Sequence, residues 1–221
     1  MLAHFYKTCI RFLESDGWSA AAWNINSGCV DRCMDLVIFA HPDNKGSHNA
    51  AVLKYVRSRL TANRREFEII DLYAERFDPL IRTVNFDMPG DYEGVKAYQE
   101  KIKKAERLIF IYPVWFYNMP AIMKGFCDRV FSSGFAYDFS FGKDGKPALT
   151  RKLEDKTAVV INTFGHGEEM FMKRGAIAAE VLDKLVLDFC GIKSKRVNWF
   201  SVKGAPILPG EIARKIDAAL E

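Results

Sequence analysis

From residue 34 onward, continuous apolar runs and helical apolar stripes take turns along the chain. Residues 35–41, DLVIFAH, form an apolar run ending in a polar turn, as expected of a strand buried on both faces. Residues 49–63 carry Val52, Leu53, Val56 and Leu60 at helical spacing. The run 66–73, EFEIIDLY, reads as a second strand, and 91–105 as a charged amphipathic helix. Residues 107–112, RLIFIY, give a third strand, followed by a helix over about 120–131, with Pro120 suited to its first turn. Residues 157–163 give a fourth strand, and 173–190 a helix that Gly191 stops. The fifth strand is read over about 195–203, and 211–220 closes the chain as a helix. Five strands alternating with helices predict an α/β doubly wound parallel sheet covered on both faces. In such sheets ligands bind at the carboxyl ends of the strands, where the strand order reverses. The loops after strands one, three and four are therefore expected to converge on a site.

Residues 1–33 break this pattern. They contain two Trp and three Cys without a clean period, and their charges cancel. The reading taken is an added or misassigned segment ahead of a domain that spans 34–221. The alternative is an N-terminal helix over 2–14 that packs on the domain. The segment has too mixed a start for a secretory signal.

Composition narrows the function classes. The net charge of +4 comes without a Lys/Arg run, which argues against nucleic acid but suits a phosphate-bearing ligand. No stretch approaches the roughly 18 apolar residues of a membrane helix. Five cysteines without CxxC spacing fit reduced thiols in a cytoplasmic setting. The four histidines show no metal-ligand spacing, so no metal is expected. There is no P-loop, no GxGxxG and no GxSxG nucleophile elbow.

Three loops carry candidate chemistry. In the first, HPDNKGSHNAAV, Ser47, His48 and Asn49 open a helix whose N-terminus offers N–H groups and partial positive charge to an anion. The plainer reading is that Ser47 or Asn49 caps the helix. In the third, Pro113, Val114, Trp115, Phe116 and Tyr117 form an aromatic turn where a polar one is the rule. A flat heterocycle would pack there, with backbone groups reading its polar edge. Core or oligomer contact is the competing use of those rings. In the fourth, NTFGHGEE, Gly165 and Gly167 let backbone approach a ligand, and His166 between them could donate a proton. A surface histidine is the plainer reading. Cys127, mid-helix, reads as a buried small residue.

Taken together, FAHPDNKGSHN, DLYAERFDPLI, IYPVWFYNMPAIMKGFCDRVFSSGFAY and NTFGHG resemble the flavodoxin-like NAD(P)H:quinone oxidoreductase family, in order and across residues 34–221. The resemblance implies a five-stranded sheet of order 2-1-3-4-5, bound FAD (FMN as the alternative), NAD(P)H as co-substrate, a quinone or similar flat acceptor, and a homodimer. It assigns His41, Ser47, His48 and Asn49 to the flavin phosphates. It lays Pro113, Val114, Trp115 and Phe116 along the flavin ring, and places Thr163, Gly165, His166 and Gly167 in a second flavin loop. Tyr117, Tyr137 and Phe139 become walls of the substrate slot, the last two reaching over a partner subunit's flavin. His166 and Tyr137 are the candidate catalytic groups. Lys173 and Arg174 are candidates for a 2′-phosphate contact. The chain also departs from the family pattern. The mammalian-type quinone reductases carry a Tyr and a His shortly after the second flavin loop, whereas here Phe171 stands near the Tyr position and no His follows. One slot serving both substrates in turn predicts ping-pong kinetics. The alternative drawn from the same resemblance is an ancillary regulatory subunit of a potassium efflux system, docking peripherally on a transporter.

Overall fold

The computed structural model describes residues 34–82, 92–141, 145–173 and 180–221. The upstream segment 1–33 and Arg174 lie outside the described residues.

Parallel pairing builds the sheet from β1 (Met34–Phe39), β2 (Glu66–Asp71), β3 (Arg107–Pro113), β6 (Thr157–Thr163) and β7 (Lys193–Trp199), in the order β2-β1-β3-β6-β7. Counting only these five strands, that is the expected 2-1-3-4-5 order. The strand order reverses at β1, with β2 on one side and β3 on the other. β1, β3 and β6 are central and nearly all buried, which is why their sequences are unbroken apolar runs.

Strand alternation divides the core in two. Val37, Phe39, Ile109, Ile111, Val159, Ile161 and Val197 face α1 (His48–Ala62) and α5 (Gly210–Leu220). Leu36, Ile38, Leu108, Phe110, Tyr112, Ala158 and Val160 face α2 (Tyr92–Lys104), α3 (Ala121–Val130) and a π-helical segment (Val181–Leu187). Burying each of the larger aliphatic side chains contributes about 1.5–3 kcal/mol.

Polar groups fasten the end of the sheet remote from the expected site. Asp35 is fully buried and accepts from Arg107 Nε at 2.7 Å and Arg65 Nη2 at 3.1 Å. Lys156, almost fully buried, donates to the carbonyls of Lys103 and Ala105 at the C-terminal end of α2. It satisfies orphan carbonyls where a cation also suits the helix dipole. Gly125 of α3 lies so close to the 72–82 segment that an added Cβ would sit 2.3 Å from Pro79 Cβ.

Several elements differ from the sequence reading. A short antiparallel hairpin, β4 (Tyr137–Phe141) with β5 (Pro147–Arg151), is inserted before β6. Its strands are largely exposed, so neither shows a buried run. β7 begins at Lys193 and ends at Trp199, earlier than read, because Ser201 turns the chain with φ +56°. Where the sequence suggested one helix over 173–190, the described residues give a short helix α4 (Glu168–Lys173) and a separate π-helical segment (Val181–Leu187), with Asp188 N–H donating to the Asp183 carbonyl. Gly191 does end it, at φ +90° and with its α-hydrogen side packed against Glu154, where no larger residue fits.

Candidate functional site

The carboxyl ends of β1, β3, β6 and β7 surround a cavity of about 620 Å³. Its lining includes His41 and Asn49 from the first loop, residues 113–117 from the third, and Thr163, Gly165 and His166 from the fourth. Loops one, three and four thus converge as the topology requires.

Loop one is organised by its own side chains. Asp43 Oδ1 accepts from the N–H groups of Gly46 at 2.8 Å and Lys45 at 3.0 Å, and those two bonds hold its carboxyl below the ordinary range. Two of the loop amides are therefore already engaged with a carboxylate. Ser47 is the N-cap of α1: its Oγ accepts from Ala50 N–H at 3.0 Å and donates to the Asp43 carbonyl at 2.6 Å. The His48 ring packs edge-on against Trp199, centroids 5.1 Å apart, with Nε2 buried and unpartnered among the described residues. Neither Ser47 nor His48 lines the cavity. His41 does; Asp43 N–H donates to its Nδ1 at 3.0 Å, and its ring meets Trp115 edge-on.

Asn49 is 2% exposed. Its Nδ2 donates to Thr163 Oγ1 at 2.7 Å, and its Oδ1 is buried without a partner among the described residues. An orphaned acceptor in a cavity wall is a group awaiting a donor.

Loop three is a two-residue hairpin. Trp115 N–H donates to the Asn118 carbonyl at 2.9 Å, and Asn118 N–H returns the bond at 3.0 Å. Phe116 and Tyr117 between them have φ of +47° and +65°. Both central residues are thus left-handed, the type I′ pattern that Asn-Gly ordinarily supplies. Two bulky aromatics held there cost about 1 kcal/mol each or more, and such strain gathers at functional sites. Tyr117 is stacked on Phe171 at 6.0 Å, whereas Phe116 is fully exposed at the cavity mouth.

Loop four presents Gly165 to the cavity, with no protein atom within 4 Å of where a Cβ would stand. Neither packing nor a positive φ demands glycine there. Gly167 instead faces Ser201 and lies outside the lining.

Four wall residues escaped the sequence reading as cavity residues: Phe164, Met170, Phe171 and Val202. Phe164 and Phe171 form an aromatic cluster with Phe200 behind loop four. Val202 arrives because the turn after β7 is knitted to loop four: Ser201 N–H donates to the His166 carbonyl and Val202 N–H to the Phe164 carbonyl. The position of β7 beside β6 was the available signal.

Tyr137 and Phe139 are not brought to this cavity. They lie on the β4–β5 hairpin, where Tyr137 meets Phe189 at 4.9 Å and Phe139 is 59% exposed. Lys173 is paired with Glu169 at 2.7 Å. Among the described residues no group of three or more His, Cys, Asp or Glu could hold a metal, and no helix is long and apolar enough to cross a membrane.

Comparisons agree with this architecture. Residues 36–221 match the flavodoxin-like fold family. The chain is 31% identical over 185 residues to NAD(P)H dehydrogenase [quinone] 1 of Cavia porcellus, covering 72% of this chain and 64% of that relative's length. The crystal structure of Smu.1420 from Streptococcus mutans superposes with a TM-score of 0.70 at 30% identity, covering 83% of this chain and 94% of that one. A structure described as a putative quinone reductase, from Klebsiella pneumoniae, gives a TM-score of 0.71 at 25% identity, over 85% and 82% of the two chains. The chain belongs to the flavodoxin-like NAD(P)H:quinone oxidoreductase family.

Proposed function

We propose that this chain is a flavin-dependent NAD(P)H oxidoreductase that passes hydride to a quinone or a similarly flat acceptor. The observation that carries the reading is Asn49 Oδ1, a buried acceptor with no partner among the described residues, in the wall of an aromatic-lined cavity that also exposes Gly165. A flavin fits these features. Its ring supplies the flat apolar faces for Trp115 and the edge for backbone groups of residues 113–116. Its polar edge or side chain supplies the donor that Asn49 lacks. His41 and the first-turn amides of α1 would face its phosphates, with the Asp43 carboxylate as a neighbour they must accommodate. FAD is the form the resemblance implies, with FMN as the alternative.

When bound, a flavin supplies the hydride relay between nicotinamide and acceptor. The protein's part is to bind, orient and exclude water. Trp115, Tyr117 and Phe171 would provide flat walls, Thr163 and Asn49 would tie the ends of β6 and α1 together beneath the ligand, and the exposed His166 would serve as a hydrogen-bond donor. One slot used by both substrates in turn gives ping-pong kinetics, read as parallel initial-rate lines. The Tyr137–Phe139 hairpin is proposed to reach the cavity of a second copy; the exposure of Phe139 and Phe141 supports that use.

The test is the visible spectrum of purified protein before and after anaerobic NADPH. A yellow protein that bleaches supports the reading. A colourless protein that takes up neither FAD nor FMN overturns it.

A further inference from the structure

The apolar layer under α2, α3 and the π-helical segment is interrupted by one polar row. Tyr112, Asn162 and Asn198 are register partners across β3, β6 and β7. Tyr112 lies in that layer with Ala158 and Val160, and Asn162 continues their alternation. Asn198 and Arg196 alternate with Val197 and Trp199, which face the opposite layer. The four residues therefore share one face, at the carboxyl end of the sheet.

The π-helical segment closes over this row. Its wider turn brings two consecutive residues, Leu182 and Asp183, inward together. Asp183 Oδ2 accepts from Arg196 Nε at 3.1 Å. Tyr112 stands beside Asn162 in register, and burial pushes its ionisation upward against a smaller lowering by the Asn162 side chain.

Asn162 is fully buried and Asp183 is 7% exposed. Yet Asn162 Nδ2 and Oδ1, Asn198 Oδ1 and Asp183 Oδ1 are all buried without partners among the described residues. Orphaned polar atoms are costly and rare in native interiors, and four in one row is a concentration. The set contains acceptors from three elements and at least one donor. Asp183 is paired with Arg196, whose guanidinium also lies 3.6 Å from the half-exposed Glu180, so the buried part of the set holds one carboxylate facing one cation. A ligand that both donates and accepts, and is uncharged, matches it.

We propose that Asn162, Asn198, Asp183 and Tyr112 form a buried hydration site, binding ordered water that joins β6, β7 and the π-helical segment beneath loop four. A bare cation fits poorly, since Asn162 Nδ2 and the Arg196 guanidinium would both face it. The site is independent of what occupies the cavity above, because Thr163 and Asn49 belong to the opposite face.

A crystal structure of the purified full chain at about 1.5 Å tests this directly. The expected result is a water oxygen within hydrogen-bond distance of Asn162 and of Asp183 Oδ1 or Asn198 Oδ1. A dry row, its side chains turned to pair with one another, overturns the proposal; so does an ion ligated only by oxygens. Thermal unfolding gives a second reading. Asn162→Leu, similar in shape but apolar, is expected to lower Tm by roughly 3–8 °C, because water loses an anchor and the remaining acceptors lose water. An unchanged or raised Tm, the outcome for a truly dry orphan, overturns it. Should Asn162→Leu fail to fold, Tyr112→Phe removes only a hydroxyl. A fall of roughly 1–4 °C is expected there, and no fall overturns the site.

Discussion

Asn49 Nδ2 donates to Thr163 Oγ1 at 2.7 Å, tying the first turn of α1 to the end of β6 across 114 positions of sequence. The bond leaves Asn49 Oδ1 as a buried acceptor in the cavity wall. Asn49→Leu removes both. Flavin should then bind roughly 5- to 150-fold more weakly, since a lost bond to a buried polar group is worth about 1–3 kcal/mol. Titration of apo-protein with FAD and FMN measures this. Unchanged affinity would mean that Asn49 is only a structural tie.

Phe116 holds a left-handed backbone with a fully exposed side chain. It therefore bears strain without the packing that ordinarily offsets it. Asparagine tolerates this conformation and leads the type I′ turn. Phe116→Asn is expected to raise Tm by roughly 1–4 °C, from about 0.5–1 kcal/mol of relieved strain, while lowering kcat/KM for quinone. Tyr117 is not equivalent, because its ring would forfeit the stack on Phe171. A lower Tm for Phe116→Asn would remove strain as the account of this turn.

How legible the molecule was depended on burial. β1, β3 and β6 are covered on both faces, so their apolar runs located them to within two residues. The β4–β5 hairpin was invisible because its strands are exposed and leave no hydrophobic imprint. The π-helical segment has no distinct period to read; Leu182, Asp183 and Leu187 face inward on a spacing that resembles an ordinary helix. At the site, Asn49, Trp115 and Gly165, singled out by their loops, line the cavity, whereas Ser47 caps α1, the plainer of its two readings, and the His48 ring packs on Trp199. Val202 depends on backbone bonds between loops, which no local pattern records.

Two glycines offer opposite controls. At Gly165 an added methyl meets no protein atom within 4 Å. Gly165→Ala should leave Tm within roughly 1 °C of the parent and weaken flavin binding, because the methyl enters ligand space. At Gly125 the same methyl would stand 2.4 Å from the Pro79 carbonyl oxygen. Gly125→Ala must push α3 away from that segment at a cost of about 1–3 kcal/mol, seen as a Tm lowered by several degrees. A destabilised Gly165→Ala with unaltered flavin binding would contradict the open-space reading.

Tyr137 lies outside the cavity of its own chain, packed on Phe189. If its hairpin completes the slot of a second copy, Tyr137→Ala should lower acceptor turnover several-fold while flavin retention holds. Steady-state kinetics alongside the absorbance ratio of purified protein separates the two effects. Equal loss of both would make Tyr137 a packing residue.

Two buried thiols, Cys127 and Cys190, predict a fold that weakens at alkaline pH. Burial pushes Cys190 up to about 11, and burial with the nearby Asp128 raises Cys127 further still. In the unfolded chain a cysteine ionises near 8.5. Below that value both states hold the thiol protons, and the stability from burying neutral sulfur is fully present. As pH climbs from about 9 to 11, the unfolded chain releases protons that the native chain keeps, and the balance moves toward unfolding. Each thiol contributes a loss of about 1.4 kcal/mol per pH unit across its window. Urea midpoints at pH 7, 9 and 10.5 should therefore hold level to about pH 8.5 and then fall. Cys190→Ala should flatten part of that decline, and a wild-type profile level to pH 10.5 would show that these thiols do not ionise on unfolding as described.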